Sequence, residues 1–187
     1  MTTRAAAAHA VTGSATLTAA ELDAPPAADV LRGERLRSVS LESRLLLAAA
    51  RLALRDAGLR TDDDAFDPDA LGIVVATRHA GLQEYVDLYR AGTEGERPRV
   101  NPARGPQTGF NAPAAELSIR LPAAGPNATL CGDDAGADAL HYAADQLAAG
   151  RAAAMLVCEV DLAPPVLHGG AATPDADRAS VLVLEAR

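Results

Sequence analysis

Apolar residues recur along the chain in two patterns, one typical of helices and the other of strands. In 40–58, leucine and alanine fall three and four residues apart, as on one helix face, with Ser40 placed to cap the start and Gly58 to end it. By contrast, 71–76 and 153–160 are short, continuously apolar runs, typical of strands that are buried on both faces. These patterns predict helices packed on a buried sheet.

The remaining segments complete an alternating order of strands and helices. The predicted strands are 9–17, 71–76, 127–131, 153–160 and 179–184, the predicted helices are 40–58, 80–91, 111–121 and 135–149, and the predicted loops are 18–40 and 92–109. This order favours an α/β fold in which a layered mixed β-sheet carries helices on both faces. Because no repeat or linker interrupts the order, we expect a single domain over 1–187, with 1–8 disordered.

Composition and charge exclude several classes of function. The chain has 187 residues and is 49% hydrophobic, which is enough for one buried core. Its formal net charge of −8 argues against binding nucleic acid or anionic membranes, because both need clustered cations. No stretch is long and apolar enough to cross a bilayer, and 1–20 lack a secretory signal. We therefore expect a cytoplasmic protein.

Cysteine and histidine patterns indicate neither a metal site nor a cofactor. Cys131 and Cys158 both lie in apolar surroundings, which predicts two buried, reduced thiols. The four histidines do not have the spacing of metal ligands. We therefore expect no metal and no cofactor.

Six motifs in a fixed order resemble the N-terminal half of β-ketoacyl synthases, which have the thiolase-like fold. In chain order the motifs are LLLAAARLALRDAGL (45–59), GIVVATRHAGL (72–82), TGFNAPAAELSIRL (108–121), GPN (125–127), GADA (136–139) and ASVLVLE (179–185). The resemblance covers 9–185 and keeps the order of the family. It implies that this chain forms half of a thiolase-like fold.

The chain departs from this family where the nucleophilic cysteine should stand. The family reads roughly Thr-Ala-Cys-Ala-Ser-Gly there, and the helix start that follows stabilises a thiolate. The segment 130–136 is one residue shorter, so Asp133 or Asp134 takes the nucleophile position, depending on where the gap falls. An aspartate cannot form the thioester that condensation requires, although it caps a helix well. Cys131 comes too early for this position, so we expect a core thiol, with a displaced nucleophile as the alternative.

The resemblance implies a non-condensing accessory subunit of type II polyketide or fatty-acyl biosynthesis, similar to the cysteine-less chain-length factors. The family's second half, which supplies two histidines, lacks a counterpart here, and half a fold would expose an apolar face. We expect this face to bind a ketosynthase-type subunit or a second copy, which makes the protein an obligate oligomer. Its predicted residues are Ala139, Leu140, Ala143 and Leu147.

An acyl carrier protein is a further candidate partner. Carrier proteins are acidic, so binding one would need a local basic patch on a chain that is itself negatively charged. The candidate patch consists of Arg32, Arg35, Arg37 and Arg44. The alternative is that these arginines are only solvated.

His79 leaves a second function open. The resemblance implies that His79 lies on a turn bordering the acyl pocket, where it could approach Asp133 or Asp134. An imidazole and a carboxylate in one cavity could perform acid–base chemistry, such as dehydration or double-bond isomerisation, on a carrier-bound chain. The alternative is that His79 is solvated on a surface turn.

Overall fold

A computed structural model of the chain describes residues 9–59, 67–94, 100–162, 165–167 and 177–187. The strands in these ranges are β1 (His9–Thr18), β2 (Leu71–Thr77), β3 (Asn127–Cys131), β4 (Ala154–Asp161) and β5 (Arg178–Ala186). The α-helices are α1 (Ala27–Val30), α2 (Leu41–Asp56), α3 (Leu82–Thr93), α4 (Ala112–Arg120) and α5 (Ala135–Ala148). Short 3₁₀ helices cover Ala19–Glu21, Pro68–Ala70, Pro102–Thr108 and Pro165–Leu167.

The strands form one mixed sheet in the order β1-β5-β4-β2-β3. β5 pairs antiparallel with both β1 and β4, whereas β2 pairs parallel with both β4 and β3. In the centre, Val75 lies opposite Cys158 on one side and Thr129 on the other. Because β2, β3 and β4 are parallel, their carboxyl ends meet at one edge of the sheet, where ligand sites of open α/β sheets lie.

Helices cover both faces of the sheet, and alternate residues of each strand point to opposite cores. On one face, α1, α2 and α4 pack over a core that includes the fully buried Leu45, Leu46 and Leu47. On the other face, α5 packs over a second, smaller core around Val74 and Met155. The chain therefore has the layered mixed sheet with helices on both faces that the sequence predicts.

Small residues allow α2 to cross the sheet very closely. At Gly13 in β1, a Cβ atom would lie 2.8 Å from the Cβ of Ala57 and even closer to the carbonyl oxygen of Ala53. Real Cβ atoms do not approach other atoms so closely, so only glycine fits there. The alanine-rich composition thus has a structural consequence, because it lets the helix layer lie close to the strands.

The predicted strands and helices are confirmed, with ends that differ by about one to two residues. The loop predicted at 18–40 is partly wrong, because it contains α1 and the 3₁₀ helix Ala19–Glu21. The disorder predicted for 1–8 concerns residues outside the described part of the chain. Among the described residues, no helix has the length and hydropathy needed to span a membrane.

Candidate functional site

Two turns meet at the carboxyl edge of the parallel strands. The first runs from Arg78 to Gly81 and links β2 to α3. The second links β3 to α5 through Gly132, whose φ of 139° lies in a region that favours glycine. The Gly132 N–H donates to the carbonyl oxygen of Thr77, with 3.4 Å between nitrogen and oxygen, so the second turn is tied to the end of β2.

Asp133 and Asp134 occupy the second turn, directly before α5. Asp134 is the N-cap residue, but its side chain accepts no hydrogen bond from the helix. The Asp133 side chain is 94% exposed, and its Oδ1 lies 3.6 Å from the Nε of Arg78. The positive end of the helix dipole favours carboxylates at this position. The structure therefore places two accessible carboxylates at the helix start.

The structure does not bring His79 into contact with these aspartates. His79 is half-buried, and within the described residues no hydrogen bond or ion pair joins its imidazole to Asp133 or Asp134. Instead, its neighbour Arg78 is the basic residue that reaches Asp133. The predicted imidazole–carboxylate pair is thus replaced by a guanidinium–carboxylate pair.

The two cysteines have different surroundings. Cys158 is buried in β4, as predicted, and burial raises the pKa of its thiol. Cys131 is exposed, so the prediction of a buried thiol is wrong for this residue. It is the last residue of an edge strand, where the apolar sequence around it no longer implies burial. Cys131 precedes Ala135, the first residue of α5, by four positions in the sequence.

The cavity between the two turns is very small. Thr77, Arg78, Asp133, Gly136 and Glu159 are among its lining residues, and its volume is about 10 Å³. A volume of this size holds about one water molecule. The Glu159 side chain lies close to the start of α5, since a Cβ on Gly136 would be 3.4 Å from its Oε2. No group of three metal-ligating side chains forms within the described ranges.

The apolar face predicted on α5 requires a correction. Ala139, Ala143 and Leu147 are buried within this chain, because they form the second core against β2 and β4. Leu140 lies outside this core and is 39% exposed. The sequence pattern correctly identifies an apolar helix face, but the chain's own sheet covers that face.

Another exposed apolar surface lies around β3, which is the outer strand of the sheet. β3 packs between α4 and α5, and the exposed surfaces of these helices carry Ile119 and Leu140, which are 76% and 39% exposed. Within β3, the Oγ1 of Thr129 is buried and has no hydrogen-bond partner among the described residues. We call β3 with Ile119 and Leu140 the β3 edge.

The predicted arginine patch is divided in the structure. Arg37 and Arg44 line a cavity of about 320 Å³ together with Arg104, which we call the arginine cavity. Arg104 pairs with Glu84. Arg37 and Arg44 have no carboxylate partner in the described part of the chain, and the Nε of Arg44 is buried without a hydrogen bond.

The other two arginines of the predicted patch lie elsewhere. Arg32 pairs with Asp29 and lines a separate groove of about 600 Å³ beside α1 and α2. Arg35 is exposed and does not line the arginine cavity. The candidate basic site therefore consists of Arg37, Arg44 and Arg104. The sequence did not indicate Arg104, because it lies 60 residues after Arg44 in the chain.

The sequence also did not indicate that Glu42 is a buried carboxyl group near the turn 78–81. Glu42 is 7% exposed, and its Oε2 accepts a hydrogen bond from the Gly81 N–H, with 3.0 Å between the atoms. An acidic residue in the first turn of a helix is ordinarily explained by the helix dipole. The partner of Glu42 lies 39 residues away, so no local pattern could reveal it.

Comparisons with known proteins agree with the fold described above. The family model for the β-ketoacyl synthase N-terminal domain matches residues 2–174. No curated protein sequence matches the chain. It is similar to the solved structure of the ishigamide ketosynthase/chain length factor, with 21% identity and a TM-score of 0.71, covering 95% of this chain and 62% of that one.

Two other solved structures give similar values. One is a type II polyketide synthase acyl-carrier protein in complex with its ketosynthase bound to the hexaketide, with 20% identity, a TM-score of 0.70 and coverage of 97% of this chain and 63% of that one. The other is a β-ketoacyl synthase from Burkholderia phymatum STM815, with 17% identity, a TM-score of 0.71 and coverage of 97% and 59%. This chain spans less than two thirds of each, and at these identities the likeness shows the fold alone.

Proposed function

Because the chain belongs to the β-ketoacyl synthase N-terminal domain family, we propose that it is a non-condensing accessory subunit of type II polyketide or fatty-acyl biosynthesis. The observation that carries this proposal is the turn from β3 into α5, which passes through Gly132 and presents Asp133 and Asp134 at the helix start. A carboxylate suits the helix dipole, but it does not form the thioester on which condensation depends.

The β3 edge is the surface that we propose for pairing with a ketosynthase-type subunit. An outer strand presents unpaired backbone groups along its free side, and such a strand can pair with another chain. α4 and α5 both pack against this strand, and their exposed residues Ile119 and Leu140 would add apolar contact area. The alternative partner at the β3 edge is a second copy of this chain, and an experiment must distinguish it from a ketosynthase subunit.

The arginine cavity is the surface that we propose for an acyl carrier protein. It holds two guanidinium groups, on Arg37 and Arg44, that have no carboxylate partner among the described residues, although the chain as a whole has a net charge of −8. Guanidinium groups bind phosphate and carboxylate with paired hydrogen bonds, so they suit both an acidic protein surface and a phosphate-bearing arm. We expect both partners to meet the protein in the cytoplasm.

Acid–base catalysis on a carrier-bound chain has less support. That alternative requires an imidazole that can exchange a proton beside Asp133 or Asp134, since the guanidinium of Arg78 stays protonated, and it requires a cavity for the acyl chain. His79 does not contact either aspartate, and the cavity between the turns has a volume of only about 10 Å³. A chain of several carbon atoms cannot enter so small a space.

Co-expression with a type II ketosynthase subunit from the same organism tests the pairing. We expect native mass spectrometry to detect a complex of the two chains, and Ile119→Glu or Leu140→Glu to weaken it at least tenfold. Tyr89→Glu is the matched control, because Tyr89 is an exposed apolar residue on α3, away from β3. If all three variants pair equally well, the β3 edge is not the interface, and if only homodimers form, the partner is a second copy.

A further inference from the structure

Glu42 is a buried ionisable group that the proposed function does not use. It accepts one hydrogen bond, from the Gly81 N–H, and no arginine or histidine of the described residues pairs with it. The pKa of Glu42 is raised to about 7, mainly by burial; the Gly81 hydrogen bond lowers it and the negative charge of Glu84 raises it, and both effects are smaller. A buried carboxylate without a cation is unfavourable, so this group binds a proton readily.

A cavity of about 90 Å³ lies directly beside Glu42. Glu84 from α3 and Asp177, just before β5, are the other ionisable residues that line it, and Ser40 and Gln83 are also in its wall. Glu84 is itself paired with Arg104. The cavity is large enough for water and offers several polar groups, so it gives water a route to Glu42 once the turn opens.

The hydrogen bond from Gly81 connects Glu42 to the turn at the carboxyl edge. Two side chains hold this turn: the Oγ1 of Thr77 accepts from the Ala80 N–H at 3.1 Å, and Glu42 accepts from Gly81. Gly81 has a φ of 78°, so the turn has a conformation that other residues rarely adopt. At its other end the turn carries Arg78, which reaches Asp133.

We propose that Glu42 is a proton-controlled latch on the turn 78–81: its neutral form favours the closed turn, and its ionised form favours an open turn that no longer positions Arg78. The reason is thermodynamic linkage. Glu42 is harder to ionise when the turn is closed than when water reaches it, so ionisation of Glu42 shifts the equilibrium from the closed turn to the open turn. This inference does not depend on a ketosynthase or carrier partner.

Hydrogen exchange of the Gly81 amide in the full-length protein tests the latch. After correction for the intrinsic effect of pH on exchange, linkage predicts that the opening constant of this amide rises roughly tenfold between pH 6 and pH 8. In Glu42→Gln, which keeps an acceptor oxygen but cannot ionise, we expect no such rise. Glu159→Gln is the control, because Glu159 is an exposed carboxylate at the same sheet edge and should leave the rise intact.

Equal pH dependence in the wild type and in Glu42→Gln would overturn the proposal. Because the variant could fold poorly, a second measurement uses the wild type alone. Carbon-13 NMR of the glutamate carboxyl groups should give a midpoint near pH 7 for Glu42. A midpoint below about pH 5, the ordinary range of glutamate, would contradict the latch even if the variant does not fold.

Discussion

The Nε of Arg78 lies 3.6 Å from the Oδ1 of Asp133, and this contact joins the turn after β2 to the turn that leads into α5. The Arg78 side chain is half-exposed and that of Asp133 is almost completely exposed. Water therefore screens the attraction between the two charges. The pair marks where the two turns meet at the carboxyl edge of the sheet, but it is poorly placed to stabilise the fold.

Removing either partner of this ion pair should leave stability almost unchanged. For Arg78→Ala and for Asp133→Ala we expect the free energy of unfolding to change by less than about 0.5 kcal/mol, because exposed pairs contribute little. Urea denaturation followed by circular dichroism measures this directly. A loss above about 1 kcal/mol in both variants would show that the pair is a structural contact after all.

Glu42 should make the stability of the protein fall as the pH rises. Its pKa in the folded state, about 7, is above the ordinary value of 4.5, so between these values the folded state binds more protons than the unfolded state. The stabilisation is fully present below about pH 4.5 and is lost as the pH rises through 7. At 1.36 kcal/mol per pKa unit, the loss is at most about 3 kcal/mol.

Glu42→Gln isolates this contribution from those of other ionisable groups. Relative to the wild type, the variant should gain stability between pH 5 and pH 8, because glutamine keeps an acceptor for Gly81 without a buried charge. Urea denaturation at both pH values, with Glu159→Gln as the control, measures the difference. A constant difference between wild type and Glu42→Gln at the two pH values would show that Glu42 does not titrate in this range.

The two thiols should differ strongly in reactivity. The exposed Cys131 should react with Ellman's reagent in the folded protein, whereas Cys158 should react only after denaturation, because it is buried and burial raises the pKa of its thiol. Cys131→Ser should remove the fast reaction completely. Two fast thiols, or a fast thiol that remains in Cys131→Ser, would show that β4 is not buried as described.

Gly13 should be essential to the packing of α2 on β1. In Gly13→Ala the new Cβ would clash with the backbone and side chain of the helix at Ala53 and Ala57, so we expect a loss of about 1–3 kcal/mol or more. Gly105→Ala is the control, because a Cβ there meets nothing within 4 Å. Equal stability of the two variants, measured by thermal unfolding, would contradict the close helix–strand approach.

The main elements of this fold could be predicted because their burial follows the pattern of apolar residues in the sequence. α2 shows the helix period directly, whereas β2 is a continuous apolar run whose residues are all buried. α1 was missed because its four residues, Ala27–Val30, are too few to show a period. Cys131 was misplaced because an apolar neighbourhood predicts burial only inside a sheet, and not at the end of an outer strand.

The contacts of the site were harder to predict because they join distant parts of the chain. The sequence identified Asp133, Asp134 and His79 as neighbouring candidates, but only the folded turn shows that Arg78 is the residue that reaches Asp133. Likewise, Glu42 approaches Gly81 across 39 residues of sequence. Side-chain directions of this kind depend on tertiary packing, which residue spacing alone does not specify.

The most direct test of the accessory role is a reconstituted condensation assay. A type II ketosynthase subunit from the same organism is incubated with malonyl-loaded and acyl-loaded carrier protein, with and without this chain, and the products and protein masses are measured by mass spectrometry. We expect this chain alone to form no product and to carry no acyl group, and its addition to change the amount or length of the ketosynthase product. An acyl group on this chain, a product formed by it alone, or a ketosynthase product that is unchanged by its addition would contradict the account.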